Sequence, residues 1–421
     1  MPGYTARLLA LAAWLCLAVR LAHASVLAVV DERVSTSTFD QLWRALKDRG
    51  LDVVVSNPHE AASQLSEDGD RFEHLVVFSP GAKDLPAELA PLALARRLHG
   101  GTNLVLVAPT DAPELWRDFA REFEVELADR GQHVVDHLAF DKTADDGSHS
   151  LLSLALANTP APFVAAATSA GPNVFYRGSG HAVGRHPLLT PLLRAGPTAF
   201  FADAASGAAS SDARSAGSSI SLVSAFQARN NARALFVGSA ELFSDDLLSR
   251  PGSGNLAFSL DILSWAFQQT GQLRLVDLSY RAVGDALAAP SYRTGTKLVE
   301  LATSSVPAYD SDDLQLEFGM LDPHVRLPLE RATVLDPDRA TNTTQYRASF
   351  VVPDRHGVFT LRMDHRRPGW TTLFEAKVIP VTPPKHDEYE RFIDGALPYY
   401  GGAASVSALF LVFIVVWASQ S

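Results

Sequence analysis

Between residues 25 and 108 the chain reads SVLAVV (25–30), LDVVV (51–55), HLVVF (74–78) and LVLVA (104–108). Each run is short, apolar and rich in β-branched residues, as expected of strands buried on both faces. Helical patterns flank them. Ser35–Asp48 places Phe39, Leu42, Trp43 and Leu46 at helical spacing, with Gly50 as the stop. Pro86–His99 ends at Gly100-Gly101, and Pro113–Phe123 carries Leu115, Phe119 and Phe123 on one face. Strands alternating with helices predict an α/β region built on a parallel sheet. Ligands of such sheets sit at the C-terminal ends of the strands, which here carry Asp31, Ser79 and Pro109. No glycine-rich nucleotide fingerprint stands at those ends.

Outward from this region, the N-terminus has Arg7, the apolar run LLALAAWLCLAV and Ala22-His23-Ala24. That is the pattern of a signal peptide (1–24) cut between Ala24 and Ser25. At the other end GAASVSALFLVFIVVWASQS (402–421) carries no charge. At 1.5 Å per residue it spans roughly 30 Å, the thickness of bilayer hydrocarbon. The expectation is a single-pass type I chain: a transmembrane helix over 402–418, a cytosolic end at 419–421, and the bulk of the chain lumenal. Tyr399 and Tyr400 suit the interfacial aromatic belt. Gly401, Ala404, Ser405 and Ala408 share one helix face of small residues, which lets a partner helix approach closely.

Composition bounds the function. Acidic residues outnumber basic ones, 47 to 36, for a net charge of −11. Loss of Arg7 and Arg20 with the signal takes it to −13. That balance argues against nucleic acid. The only cysteine, Cys16, lies in the signal, so the mature chain holds no disulfide, thiolate metal site or cysteine nucleophile.

The organisation continues as follows. Residues 25–124 form the N-terminal α/β domain. Residues 125–272 are a second α/β part, with a strand at Val174–Arg177, a flexible Gly/Ala/Ser loop at 195–219, and a strand at Ala234–Val237. A helix over Asn255–Thr270 closes that part, with Leu256, Leu260, Leu263 and Phe267 as its stripe. Residues 273–384 alternate apolar and polar residues in short runs and predict an all-β, sandwich-like domain. Residues 385–401 are a juxtamembrane linker.

Candidate chemistry is sparse. HVVDH places His133, Asp136 and His137 within reach of a zinc set if helical. Its paired valines favour a strand instead, with the two histidines about 13 Å apart. Ser179 and Ser239 follow strands, and His181 stands close by, but G-x-S-x-G is absent. Asn342-Thr343-Thr344 is the one glycosylation sequon. No cofactor motif is present. Arg229, Asn230, Asn231 and Arg233 read as a turn before strand Ala234–Val237, because Asn tolerates a left-handed backbone and Arg donates to several carbonyls.

QARNNAR (227–233) with FVGS (236–239) and FSD (243–245) resembles the 48 kDa subunit family of the oligosaccharyltransferase. So do LKDRG (46–50), FYRG (175–178), DLQLEF (313–318), GVF (357–359) and YERF (389–392) ahead of PYY (398–400). The matches are colinear across nearly the whole mature chain. The resemblance implies a glutamine-amidotransferase-like N-terminal fold and an endoplasmic-reticulum complex that moves a preassembled glycan from dolichyl diphosphate to Asn in N-x-[ST]. It implies a non-catalytic accessory role, with the active site on a multi-spanning catalytic subunit, and ribophorin-like subunits and a small multi-spanning subunit as further partners. Trp417–Ser421 has neither Lys nor Arg, a departure from the basic tail usual in that family. The alternative is an independent lumenal α/β enzyme acting on glycans or esters.

Overall fold

The computed structural model describes residues 24–31, 35–79, 85–143, 146–156, 159, 161–203, 216–285, 287–304, 311–331, 344–388 and 394–420. They fall into two compact units, Met1–Arg274 with Arg366–Thr372, and Leu275–His365 with Leu373–Ser421.

The first unit contains β1 (Ser25–Val29), β2 (Asp52–Ser56), β3 (His74–Val77), β4 (Asn103–Val107), β5 (Val125–Leu127), β6 (Gln132–Val135), β7 (Leu152–Leu154), β8 (Val174–Tyr176), β9 (His181–Val183), β10 (Leu189–Arg194), β11 (Phe200–Asp203), β12 (Ile220–Gln227) and β13 (Arg233–Val237). The main sheet runs β2-β1-β3-β4-β13-β12-β9-β5, with β10 also on β12. β2, β1, β3, β4 and β13 are mutually parallel. β12, β9, β5 and β10 pair antiparallel. The sheet is therefore mixed, which corrects the expected parallel sheet. The five residues between β12 and β13 are too few for a parallel crossover and turn the chain straight back.

Alternation along β1 and β4 feeds two cores, one on each face. Val26, Ala28, Val105 and Val107 join a cluster with Phe39, Trp43 and Trp265. Leu27, Val29, Leu104 and Leu106 join Leu94, Trp116 and Phe119 on the opposite face. Each fully buried Val or Leu side chain contributes about 1.5–3 kcal/mol. The helices Asp40–Asp48, Pro91–His99, Glu114–Arg121 and Asn255–Ala266, with Phe39 from the turn just before the first, supply the covering side chains. A helix over Pro58–Glu67 goes beyond the sequence reading. Asn57 caps it, its Oδ1 accepting from the Glu60 N–H at 2.9 Å, and Pro58 opens its first turn.

Two further ladders complete this unit, β6 with β11 and β7 with β8. β11 corrects the expected loop over 195–219: Phe200–Asp203 pair with Gln132–Val135, and Phe201 is buried. The two phenylalanines are strand formers inside a stretch whose composition signals a loop. Residues 204–215 lie outside the described set.

The second unit contains β14 (Leu275–Ala282), β15 (Tyr292–Arg293), β16 (Lys297–Ser304), β17 (Gln315–Gly319), β18 (His324–Pro328), β19 (Glu330–Arg331), β20 (Thr344–Val351), β21 (Gly357–His365) and β22 (Leu373–Thr382). They form two sheets, β14-β16-β20-β19 and β15-β22-β21-β17-β18, antiparallel except at β15–β22. β21 buries Phe359, Leu361, Met363 and His365 and exposes the residues between, the period of two expected of a half-buried strand. Phe318 of β17 stacks on Phe359 at 4.6 Å and meets Phe350 of β20 at 5.0 Å, so the two sheets share one aromatic core.

The last element is a helix over Leu397–Ser419, exposed along its length. Its mean hydropathy of 2.1 over the most apolar window makes it the one helix among the described residues long and apolar enough to cross a membrane. It starts before Gly402 and takes in Tyr399, Tyr400 and Gly401, which the sequence reading placed in a linker. Pro398 in the first turn has no intrahelical hydrogen bond to lose there, so it starts the helix rather than breaking it.

Candidate functional site

The C-terminal ends of the parallel strands, where a ligand was expected, are largely spoken for. Ser79 has φ 29° and donates to Val107 O at 2.6 Å. Pro109 borders a hollow of about 400 Å³ with Thr110, His133 and Ser239. Arg177 and Glu241 close its rim by an ion pair at 2.7 Å. Ser239 Oγ donates to Arg177 O and accepts from Glu241 N, so it is held as a bracket and not poised as a nucleophile. Ser179 is buried, its carbonyl taken by the Tyr176 hydroxyl at 2.5 Å. His181 is paired not with Ser179 but with Ser224 Oγ at 2.7 Å, which is 2.8 Å from Ser221 Oγ. Burial pushes His181 down to about 3. This neutral imidazole sits inside the sheet, away from any substrate.

HVVDH forms β6 and the turn after it. Leu138 N and Ala139 N donate to Asp136 Oδ1 at 2.9 and 3.0 Å, and Thr198 Oγ1 donates at 2.8 Å. His137 Nδ1 lies 2.6 Å from His149 Nδ1. Among the described residues no three His, Cys, Asp or Glu side chains converge as a metal set.

The densest polar construction is the turn between β12 and β13. Ala228 N donates to Ala232 O at 2.8 Å and Asn231 N to Ala228 O at 3.0 Å. Asn231 takes φ 68°, a left-handed conformation that Asn tolerates better than most residues. Its Oδ1 accepts from Thr372 N at 2.8 Å and its carbonyl from Gln268 Nε2 at 3.1 Å. Asn230 Nδ2 donates to Leu98 O and His99 O, at the end of helix Pro91–His99. Arg233 is 0 % exposed. Its guanidinium donates to Trp265 O at 2.5 Å, Thr270 O at 2.7 Å, Gly271 O at 2.7 Å and Gly369 O at 3.4 Å, and lies 4.7 Å from the Trp265 ring. Burial pushes Arg233 down to about 9, so it stays charged at neutral pH, solvated by carbonyls.

Arg229 stands apart. It is exposed, and among the described residues no hydrogen bond or ion pair engages its side chain. It lines a cavity of about 590 Å³, together with Gln227, His186 and Phe226 on one side and Arg366, Arg367 and Trp370 on the other. Phe163 and Trp265 form part of the wall. Segment 366–372 is fastened there from behind. Gln227 Nε2 donates to Trp370 O at 2.6 Å and its Oε1 accepts from Gly369 N at 3.1 Å. Trp265 Nε1 donates to Gly369 O at 2.8 Å. Gly369 has φ 83°, and a Cβ there would fall 2.7 Å from Pro162 Cδ, so a side chain would strain the segment and crowd the wall. Sequence reasoning singled out Arg229 but not Arg366, Arg367, Trp370 or His186. The signal for three of them was RRPGW (366–370): two arginines and a tryptophan around a Pro-Gly turn.

The remaining sequence candidates are scattered. Ser25 opens β1, with Asp52 N donating to Ala24 O at 3.2 Å. Asn342 and the YERF segment lie outside the described residues. Gly401, Ala404, Ser405 and Ala408 lie on the last helix, where Ser405 Oγ donates to Gly401 O at 2.8 Å. Tyr399 and Tyr400 occupy its first turn.

Two family models match the chain, OST48, N-terminal domain over residues 17–269 and OST48 middle domain over residues 292–421. Among curated relatives, the dolichyl-diphosphooligosaccharide–protein glycosyltransferase subunit wbp1 of Schizosaccharomyces pombe is 32% identical, covering 98% of this chain and 95% of that protein. The glycosyltransferase 48 kDa subunit of Arabidopsis thaliana is 32% identical over 93% of this chain and 92% of its own length. That of Drosophila melanogaster is 30% identical over 96% and 92%. A solved Niemann-Pick type C2 protein from Japanese carpenter ant aligns with 27% of this chain at 14% identity and a TM-score of 0.18, too slight a likeness to inform the fold.

Proposed function

We propose the function of this chain from one premise: it belongs to the OST48 family. On that reading it is an accessory subunit of the oligosaccharyltransferase, the complex that transfers a preassembled glycan from dolichyl diphosphate to Asn in N-x-[ST]. The observation that carries the proposal is end-to-end likeness to subunits so named, including the C-terminal apolar helix. A non-catalytic role is supported by the occupied serines, the sealed His181 and the loss of Cys16 with the signal. The parallel strand order β2-β1-β3-β4 supports a glutamine-amidotransferase-like framework without its nucleophile. The paired sheets of the second unit support a sandwich. Against the independent-enzyme reading, Ser179, Ser239 and His181 are each engaged by neighbouring groups of the fold.

The same proposal places the chain in the endoplasmic-reticulum membrane with its bulk lumenal, cut between Ala24 and Ser25 and glycosylated at Asn342. Its partners are the multi-spanning catalytic subunit, ribophorin-like subunits and a small multi-spanning subunit. The helix face of Gly401, Ala404, Ser405 and Ala408 serves as contact surface, with Tyr399 and Tyr400 at the interface. Purification in mild detergent tests this: the chain should bring down a multi-spanning transferase. Recovery as a monodisperse monomer overturns the reading. Ala404→Leu or Ala408→Leu should lower partner recovery severalfold while insertion persists; full recovery makes the helix an anchor only.

A further inference from the structure

We propose that the cavity beside the β12–β13 turn binds a phosphorylated sugar. Its phosphoryl group is held by the guanidinium groups of Arg229, Arg366 and Arg367, and its ring lies against Trp370.

The charge of the lining is the first reason. The chain carries more acidic than basic residues, 47 against 36, yet none of the described lining residues is acidic, and three are arginines: Arg229, Arg366 and Arg367. A wall of one sign opposite to the whole chain concentrates anions. Guanidinium forks match phosphate oxygens in two-bond geometry.

The second reason is the rest of the wall. Phe163, Phe226, Trp265 and Trp370 present aromatic surface, with Gln227 and Thr190 as the polar interruptions. A ring with one apolar face and hydroxyls at its edge suits that mixture. The volume of about 590 Å³ lies within the range of small-ligand sites, about 300–1,000 Å³. A compact ligand fits it better than an extended peptide, which needs a groove. The frame is also built in advance. The Gln227 amide grips Gly369 and Trp370 at both its ends, and Arg233 and Trp265 hold Gly369 O from behind. Arg229, by contrast, spends its donors on no group among the described residues.

The choice of a sugar as the phosphate's carrier rests on the proposed membership of a glycosyltransferase complex; the anion site rests on the cavity alone. The full chain in detergent is titrated calorimetrically with N-acetylglucosamine 1-phosphate, pyrophosphate, neutral diacetylchitobiose, and a short-chain isoprenyl diphosphoryl-chitobiose. Saturable binding of the sugar phosphate is expected, with Arg229→Gln and Arg366→Gln each weakening it on the order of tenfold, the loss of one charge-assisted bond. Trp370→Ala should weaken the sugar-bearing probes and spare pyrophosphate. Tighter binding of the isoprenyl probe assigns a lipid-linked source; equal binding assigns a free sugar phosphate. Thermal unfolding checks that each variant is folded. The proposal is overturned if no sugar phosphate binds, if both arginine variants bind as wild type, or if an acidic Glu-Trp-Glu peptide binds in their place. Failure of all titrations by a chain that still brings down its transferase rejects this site and leaves the complex membership standing.

Discussion

Arg233→Met removes every donor of the buried guanidinium while keeping a long apolar stem. Three carbonyls, Trp265 O, Thr270 O and Gly271 O, lose bonds of 2.5–2.7 Å. Bonds to a charged donor are worth about 1.5–3 kcal/mol each, roughly 5–9 in all. The face contact with Trp265 adds about 2 kcal/mol when desolvated. Against this, the variant escapes the cost of burying a charge. Arg233 is pushed from 12.5 to about 9, which corresponds to about 5 kcal/mol. The difference is a net destabilisation of about 2–6 kcal/mol. For a unit of this size each kcal/mol lowers Tm by about 2–4 °C, so the expected fall is about 4–24 °C. Tryptophan fluorescence during thermal unfolding of the full chain in detergent reads it directly, since Trp265 is in the affected core. A melting temperature within 2 °C of wild type, or above it, means the carbonyl cluster does not hold this region and refutes the reasoning.

Two other tests probe the same unit. Asn231→Ala should cost about 1–2 kcal/mol, from the left-handed φ of 68° and the lost bond to Thr372 N, while Asn231→Gly should recover the backbone part; equal melting of the two variants would contradict the assignment. Acid should destabilise the fold through its buried histidines. Desolvation holds His74 near 4 and His181 near 3, both below the unfolded value of 6.5, so the unfolded chain binds more protons. Their neutral forms contribute full stability above about pH 6.5, and that stability falls as pH drops towards 4 and then 3. His181→Gln should flatten the lower part of a Tm-against-pH curve; an unchanged slope would mean that His181 is not the titrating group.

The legibility of the sequence varied with the range of the interactions. β1, β3 and β4 are plain in it because strands covered on both faces become unbroken apolar runs. The helix Pro58–Glu67 is faint in the sequence because two of its three buried residues are alanines, Ala61 and Ala62, which make a weak stripe; Asn57-Pro58 is its clearest local signal. The antiparallel edge was hidden because ISLVSAFQ and RALFV look the same in either direction, and only the short intervening turn sets their sense. β11 was obscured by the small residues around Phe200 and Phe201. At the turn, Asn231 announces a left-handed residue locally. Arg233 is legible as a donor to several carbonyls, but which ones is not, because its acceptors lie at 265–271 and 369, and no local pattern reports a bond across that separation. RRPGW (366–370) marks an arginine- and tryptophan-bearing turn, but its place in the cavity wall is set by contacts with Gln227, 142 and 143 positions earlier.

Segment 366–372 has a consequence for how the protein comes into being. It belongs to the first unit, where it meets Gln227, Asn231 and Trp265. Residues 275–365, with all of β14 to β21, must be synthesised before it exists. Until then the amide of Gln227 and the indole N–H of Trp265 have no Gly369 or Trp370 to meet. Cutting the gene after Arg274 would leave those groups without these partners: the chain's first two-thirds is completed by a stretch read off the message long afterwards.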